Sequence, residues 1–501
     1  MAIGRARPAC GRVWAPVVLL AGLVLAACST VPDRPDPDDG PEAACRAFFQ
    51  TMDQRVEEAG VRDGIGAPPA DYPYLRSTRF LDSFADALDE SGVRDAWLDA
   101  AQTLDREARL LELRHLEPEE RGAFPRPAGV DDPEGAVDVC GDRLRQADGL
   151  EADDGPWREA ADALSVPDEY ITWQRAVGVY PVSRWFIRAG VATWQRGVRE
   201  DFTNQVAGET PALRYLPAAG HGDVAAGARL LADADLDALG WPQLSETQWQ
   251  EFFRAVAPVV EVERDAEHNR IGRPSLTAEG LPQVDTGDPV VYAHASGTRF
   301  GDQTLVQINY TWWFTERPLD HWFDLLGGRL DGLNLRMTFS TDGELLLVES
   351  MHNCGCYHQH YPVQGLEARS SADYAEPPLI LPGPGEPEEG ERLRVHLQDG
   401  SHYVTRLAFA PVPDHGERYA LEPYDTLRSL PREDGGRASL FQADGLVTGT
   451  ERSERWFFWV SGVPEPGAMR QYHRHATAFV GRRHFDDADL LERIYRWPSA
   501  D

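Results

Sequence analysis

Apolar residues recur at helical spacing through the first third of the chain. Cys45, Phe48, Phe49, Met52 and Val56 define one such face, and Phe80, Leu81, Phe84 and Leu88 a second. Trp97, Ala101, Leu104, Ala108 and Leu111 mark a longer helix, and Val137, Cys140, Leu144 and Ala147 a fourth. Further on, Ser245-Glu246-Thr247-Gln248 has the form of a capping box. It opens a helix whose apolar side is Trp249, Phe252, Phe253 and Val256. From about residue 285 the period shortens to two. Ile308, Tyr310, Trp312 and Phe314 alternate with Gln307, Asn309, Thr311 and Trp313, which predicts a strand with one apolar and one polar face. Arg336–Ser340 and Leu345–Glu349 flank Thr341-Asp342-Gly343-Glu344, a hairpin signal, and Asp399-Gly400 separates Leu393–Leu397 from Tyr403–Phe409. Ala476–Val480 reads as a short buried strand, and Asp486 or Asp487 as the cap of a last helix through Leu490, Leu491 and Ile494.

The pattern therefore predicts an α+β chain: a mainly helical part over 43–255 and an antiparallel, β-rich part over 256–501, without internal repeats. The connection over 205–255 is the least defined stretch, and Pro377–Gly390 is a proline- and glycine-rich loop. At 501 residues with 42% hydrophobic content, the chain has ample material for packed cores.

Charge narrows the chemistry. There are 82 acids against 49 basic residues, a formal net charge of −33, and every basic residue is arginine. Without lysine there is no Schiff-base amine and no P-loop lysine. So acidic a chain is a poor candidate for wrapping nucleic acid, because neutralising phosphates needs a basic face.

The N-terminus carries an address. Arg5, Arg7 and Arg12 precede an apolar run from Val13 to Ala27, shorter than the ~20 residues a membrane helix needs, in the plan of a secretory signal. Leu25-Ala26-Ala27-Cys28 resembles the lipobox of bacterial lipoproteins. That resemblance implies cleavage after residue 27 and lipid attachment at Cys28. With Ser29 following, it also implies sorting to the outer membrane, anchored in the lipid bilayer at its periplasmic face. Residues 28–42, rich in proline and acids, read as a solvated tether.

An exported chain meets an oxidising compartment, where disulfides are the default. Cys45 and Cys140 both fall on apolar helix faces, and a bridge between them would staple two helices. Cys354 and Cys356 lie in the segment Met351–His360 with His352, His358 and His360, the densest collection of soft ligands in the chain. Zinc and copper are the candidate ions. Cys-X-Cys is tighter than common zinc spacings, so a small-ring disulfide and a thiol-exchange centre stand beside the metal reading.

Near the C-terminus Arg474, His475, Arg482 and Arg483 form a candidate anion site, provided the chain reverses at Gly481; ion pairing to the many acids competes with that reading. Trp313, with Gln307 and Asn309 on the polar face, is the candidate platform for a ring-shaped ligand. Asp233, Asp235 and Asp237 imitate a calcium loop, but Ala238 and Leu244 occupy positions that need glycine and glutamate. No catalytic residue is identified. The sequence thus points to a lipid-anchored envelope lipoprotein with a Cys/His loop, its envelope partner or cell-wall ligand unidentified. The alternatives are a metal-dependent hydrolase of peptidoglycan or peptides, with His352, His358 and His360 as ligands, and a thiol-redox protein cycling Cys354 and Cys356.

Overall fold

The computed structural model describes residues 40–497, apart from 123, 205–210, 219–223, 320, 323, 364, 371–373 and 433–434. The expected signal, Cys28 and nearly all of the expected tether lie outside the described residues. Every described element begins at or after Gly40, so a chain starting at residue 29 contains all of them.

Three long helices build the first layer: α1 (Gly40–Ala59), α2 (Ser91–His115) and α3 (Pro133–Asp148). Each buries the face its periodicity predicted, with Phe48, Phe49, Met52, Trp97, Leu98, Val137 and Leu144 in one apolar core. Local signals set the ends of α3: Asp132 accepts from the Gly135 N–H, Pro133 opens the helix, and Gly149 closes it with φ +63°. Cys45 and Cys140 form the expected disulfide, with Cα atoms 5.0 Å apart across 95 residues. The second predicted helix is shorter than expected and breaks into Arg79–Asp82 and a 3-10 turn at Ala85–Ala87.

Residues 172–204 form two helices that the pattern did not suggest, α4 (Thr172–Val177) and α5 (Tyr180–Asn204). Two more, α6 (Val224–Ala232) and α7 (Glu246–Val256), pack on the sheet, and α7 starts with the predicted reciprocal Ser245–Gln248 capping box.

The described sheet has eleven strands. In chain order they are β1 (Leu213–Pro217), β2 (Val259–Val262), β3 (Val290–Phe300), β4 (Gln303–Arg317), β5 (Gly328–Phe339) and β6 (Leu345–His352). Then follow β7 (Gln359–Pro362), β8 (Leu379–Ile380), β9 (Glu391–Leu397), β10 (Val404–Pro411) and β11 (Glu417–Pro423). Their spatial order is β8-β7-β6-β5-β4-β3-β11-β1-β2-β9-β10. The sheet is mixed rather than purely antiparallel, because β1 pairs parallel with β11, and β9 parallel with β2. It also recruits chain from residue 213 onward, earlier than the expected boundary at 256.

Both faces of the central strands are covered. Ile308, Tyr310, Trp312 and Phe314 meet Phe252 and Val256 on one side. On the other, Trp313, Tyr292 and Met351 lie under Tyr424, Phe441, Tyr472 and Phe485 from the C-terminal segment. The predicted polar face is therefore buried and bonded internally in part: Asn309 Nδ2 donates to Ser296 Oγ at 2.9 Å and Asn334 Nδ2 to Thr311 Oγ1 at 2.9 Å, while both Oδ1 atoms and Trp313 Nε1 have no partner among the described residues. Ala476–Val480 is not a strand; only Ala476 bridges, to His484. The last helix is Leu490–Ile494, but Asp486 and Asp487 do not cap it. Asp486 is held by Arg79 at 3.0 Å and Asp487 by His484 at 3.3 Å.

Candidate functional site

The register of three adjacent strands assembles a polar group inside the protein. Arg336 on β5 lies opposite Glu349 on β6, and Glu349 lies opposite His360 on β7. Cross-strand neighbours share a face, so these side chains meet, and His358, two residues before His360, joins them. Arg336 grips the carboxylate with both prongs, Nε to Oε2 and Nη2 to Oε1, each at 2.7 Å. His358 Nε2 lies 2.9 Å from Glu349 Oε1 and His360 Nδ1 3.6 Å from the same oxygen.

All four side chains are buried. Burial by itself would raise the Glu349 carboxyl, but Arg336 and His358 overcome this and hold it well below the usual carboxylate range. Burial pushes His358 down to about 4 and His360 well below its ordinary value, so both imidazoles are neutral at pH 7. His358 Nδ1 and both nitrogens of His360 have no hydrogen-bond partner. Donor atoms of Glu349, His358 and His360 lie within 4.8 Å of one another and could hold a metal ion. Two imidazoles and a carboxylate are a donor set that zinc accepts, and neutral imidazole is the ligating form.

The expected Cys/His ligand set is thus split. His352 turns to Asp331, its Nδ1 3.4 Å from a carboxylate that also holds His402 at 2.7 Å. Cys354 and Cys356 are free thiols outside the Glu349 group and are not joined in a ring. The Cys356 N–H donates to Cys354 Sγ at 3.4 Å. The contact with Cys354 together with burial raises the Cys356 thiol well above its ordinary range, opposite to what a thiol-exchange nucleophile needs. Gly355 makes the tight loop: its φ is +89°, and a Cβ there would stand 2.7 Å from the Ala476 carbonyl oxygen.

Beside this group lies a cavity of about 500 Å³, within the ~300–1,000 Å³ typical of small-molecule sites. Its walls are largely aromatic and aliphatic, among them Phe186, Ile187, Val191, Trp194, Tyr357, Tyr403, Phe457 and Phe479. Of the three metal-capable side chains only His358 lines it. Glu454 also lines it, is 5% exposed, and makes no side-chain hydrogen bond or ion pair with any described residue. Burial raises its carboxyl to about 7, even though Arg317 and Arg452 act to lower it.

The anion-site arginines are already engaged. The chain does reverse at Gly481, with φ +94°, and the Phe485 N–H reaches the His475 carbonyl at 3.0 Å. Arg474, however, pairs with Glu169 at 2.9 Å, Arg482 with Asp168, and Arg483 lies 3.6 Å from Glu376. His475 Nε2 meets the Asn353 carbonyl at 3.1 Å. The carboxylates of the protein itself take the place of an external anion. Trp313 is buried with its ring 6.5 Å from Phe441, and Gln307 and Asn309 are buried beside it, so this platform is closed.

The pattern missed Glu349, Arg336 and Glu454. The first two were accessible: an Asp342-Gly343 tip places 336 opposite 349 by simple counting. Glu454 had no sequence signal, because its isolation arises from tertiary burial. No family model matches the chain, and neither does any curated protein or solved structure.

Proposed function

We propose that this chain is a lipid-anchored envelope lipoprotein that binds a small fatty-acyl-type ligand in the Glu454 cavity, beside a zinc- or copper-binding Glu349–His358–His360 group. The carrying observation is Glu454. Glu376, Arg483 and His358 also line the cavity and are bonded within the protein, whereas Glu454 makes no side-chain hydrogen bond or ion pair with any described residue and presents its carboxyl to the cavity. A buried carboxyl without a partner costs stability unless a ligand completes it. With its carboxyl raised to about 7, it is largely protonated just below neutrality and acts as a hydrogen-bond donor. The positive charges of Arg317 and Arg452 favour an acceptor, such as the carboxylate of a fatty acid, over a cationic head. The aromatic and aliphatic walls suit the chain. Binding is favoured over the hydrolase reading because Glu349 and His360 do not line the cavity, so a molecule inside it meets the His358 ring rather than an ion behind it.

The test uses laurate below its micellar concentration, titrated calorimetrically into residues 29–501. Val191→Trp, which fills the cavity, should abolish binding. Laurate binding that survives this substitution would overturn the assignment. Anchoring, supported by the lipobox, is tested separately: labelled palmitate should enter the wild-type protein in cells and be lost in Cys28→Ala. Labelling of that variant would remove the anchor.

A further inference from the structure

We infer that α4, α5 and the turn at 455–458 form a docking surface for an anionic phospholipid bilayer. The helix α5 is apolar on two sides. Ile187, Val191, Trp194, Val198 and Phe202 repeat at helical spacing and face the cavity and the sheet core. Val182 and Trp185 lie on the outer side and Phe186 at the rim of the cavity, and they are 56%, 60% and 77% exposed. Trp173 and Val177 on α4 are 62% and 65% exposed, and Trp456 and Phe457 are 68% and 58% exposed. These pieces are adjoining: a Cβ on Gly178, between the two helices, would stand 2.6 Å from Val460, and Phe186 and Phe457 both line the cavity. Apolar surface gathered this way, with three tryptophans in it, is outside what scattered surface residues give.

Charge selects the occupant. In a chain of net charge −33, residues 172–199 carry five arginines and no aspartate or glutamate. Arg184 and Arg196 are exposed and Arg188 half-buried, and none of the three has an ion pair with any described residue. Arg184 lies over the Trp185 ring, 5.3 Å from its centroid. Arginine forks beside exposed tryptophans suit the phosphate and glycerol level of a membrane: the rings enter the interface and the guanidiniums pair with anionic headgroups. No helix among the described residues is long and apolar enough to cross a membrane, so the contact is with the surface. The cavity opens among the same residues, which sets its mouth toward the acyl layer. The docking surface stands on its own exposure and charge, whether or not the cavity holds a ligand.

The experiment is vesicle co-sedimentation of residues 29–501, which lack the lipid. Phosphatidylglycerol–phosphatidylethanolamine vesicles are compared with pure phosphatidylcholine. Binding to the anionic vesicles should exceed binding to the neutral ones at least tenfold and weaken with salt. Trp185→Ser combined with Phe186→Ser should lower it at least tenfold. Arg184→Glu combined with Arg188→Glu should abolish the preference for anionic lipid, and this pair keeps the test decisive if the first folds poorly. Val191→Trp, on the inner side, should leave vesicle binding unchanged, which separates failure of the cavity reading from failure of this one. No binding, equal binding to both vesicles, or indifference to both double variants would overturn the proposal. So would a dimer in ultracentrifugation that the Trp185/Phe186 variant dissolves, since a second copy would then cover the patch.

Discussion

Two buried networks in this protein are made of the same parts and end differently. In the helical layer Arg76 bonds Asp105 at 2.9 Å and Glu112 at 3.0 Å, while Arg109 bonds Asp105 at 2.8 Å and the Pro73 carbonyl. Their charges are matched within the network, and Arg76 Nη1 is its one side-chain atom without a partner. In the sheet, Arg336 and Glu349 are equally well matched, yet two imidazoles sit against them with three nitrogens unpartnered. A buried polar atom without a partner costs stability. A network of matched charges whose one unpartnered atom is a guanidinium nitrogen is a structural device, whereas one that gathers unpartnered imidazole nitrogens beside a carboxylate is suited to accept an ion. The cavity repeats the lesson with Glu454, a carboxyl without a match.

The two networks depend most heavily on their arginines. Arg76→Met leaves the buried Glu112 carboxylate without its arginine and Asp105 with Arg109 alone, and should cost about 3–5 kcal/mol in urea unfolding. Arg336→Met should cost a similar amount in the absence of metal, but zinc should restore part of it by taking over Glu349. Zinc should do nothing for Arg76→Met. Equal behaviour of the two variants with zinc would erase the distinction.

Next in size is the staple of the helical layer. Cys45→Ala with Cys140→Ala opens a 95-residue separation and should lower stability by about 3–4 kcal/mol while leaving any zinc response intact. Glu454 follows. Its carboxyl titrates near 7 in the fold against 4.5 ordinarily, so between those pH values the folded protein binds more protons than the unfolded chain. Stability should therefore fall as pH rises through that window and level off above it. Glu454→Gln should be up to about 3 kcal/mol more stable than wild type at pH 8 and nearly equal at pH 4.5. A flat difference across pH would place the carboxyl elsewhere. The smallest effect is zinc on the wild type: at a hundredfold excess over its Kd the ion should add about 2.7 kcal/mol, an increment lost in His360→Ala.

What the sequence made legible was local. The faces of α1, α2 and α3, the Ser245 capping box, the hairpin at Asp342-Gly343 and the Cys45–Cys140 pair all depend on spacing that a short window contains. Two features hid behind the same rule. The helix α5 escaped because apolar residues on both its sides blur the helical period, and the polar face of β4 was expected in solvent because nothing local announces that residues 424–485 fold back over it. The site shows the same limit. His358 and His360 were visible as ligand types, but their partner Glu349 comes from another strand, and the cysteines that precede them lie outside the group. The arginines at 474, 482 and 483 suggested an anion until Glu169, Asp168 and Glu376 were seen beside them, from more than 100 residues away in the chain.

The most direct test of the account is laurate affinity at pH 6 and pH 8 for the wild type and Glu454→Gln. If a protonated Glu454 donates to the bound head group, the wild type should bind about tenfold more tightly at pH 6 than at pH 8, following the protonated fraction. Glu454→Gln, whose amide donates at both values, should bind equally at both. A wild type that binds laurate with the same affinity at pH 6 and pH 8, or a variant that keeps the full pH dependence, would contradict the assignment of Glu454 as the group that receives the ligand.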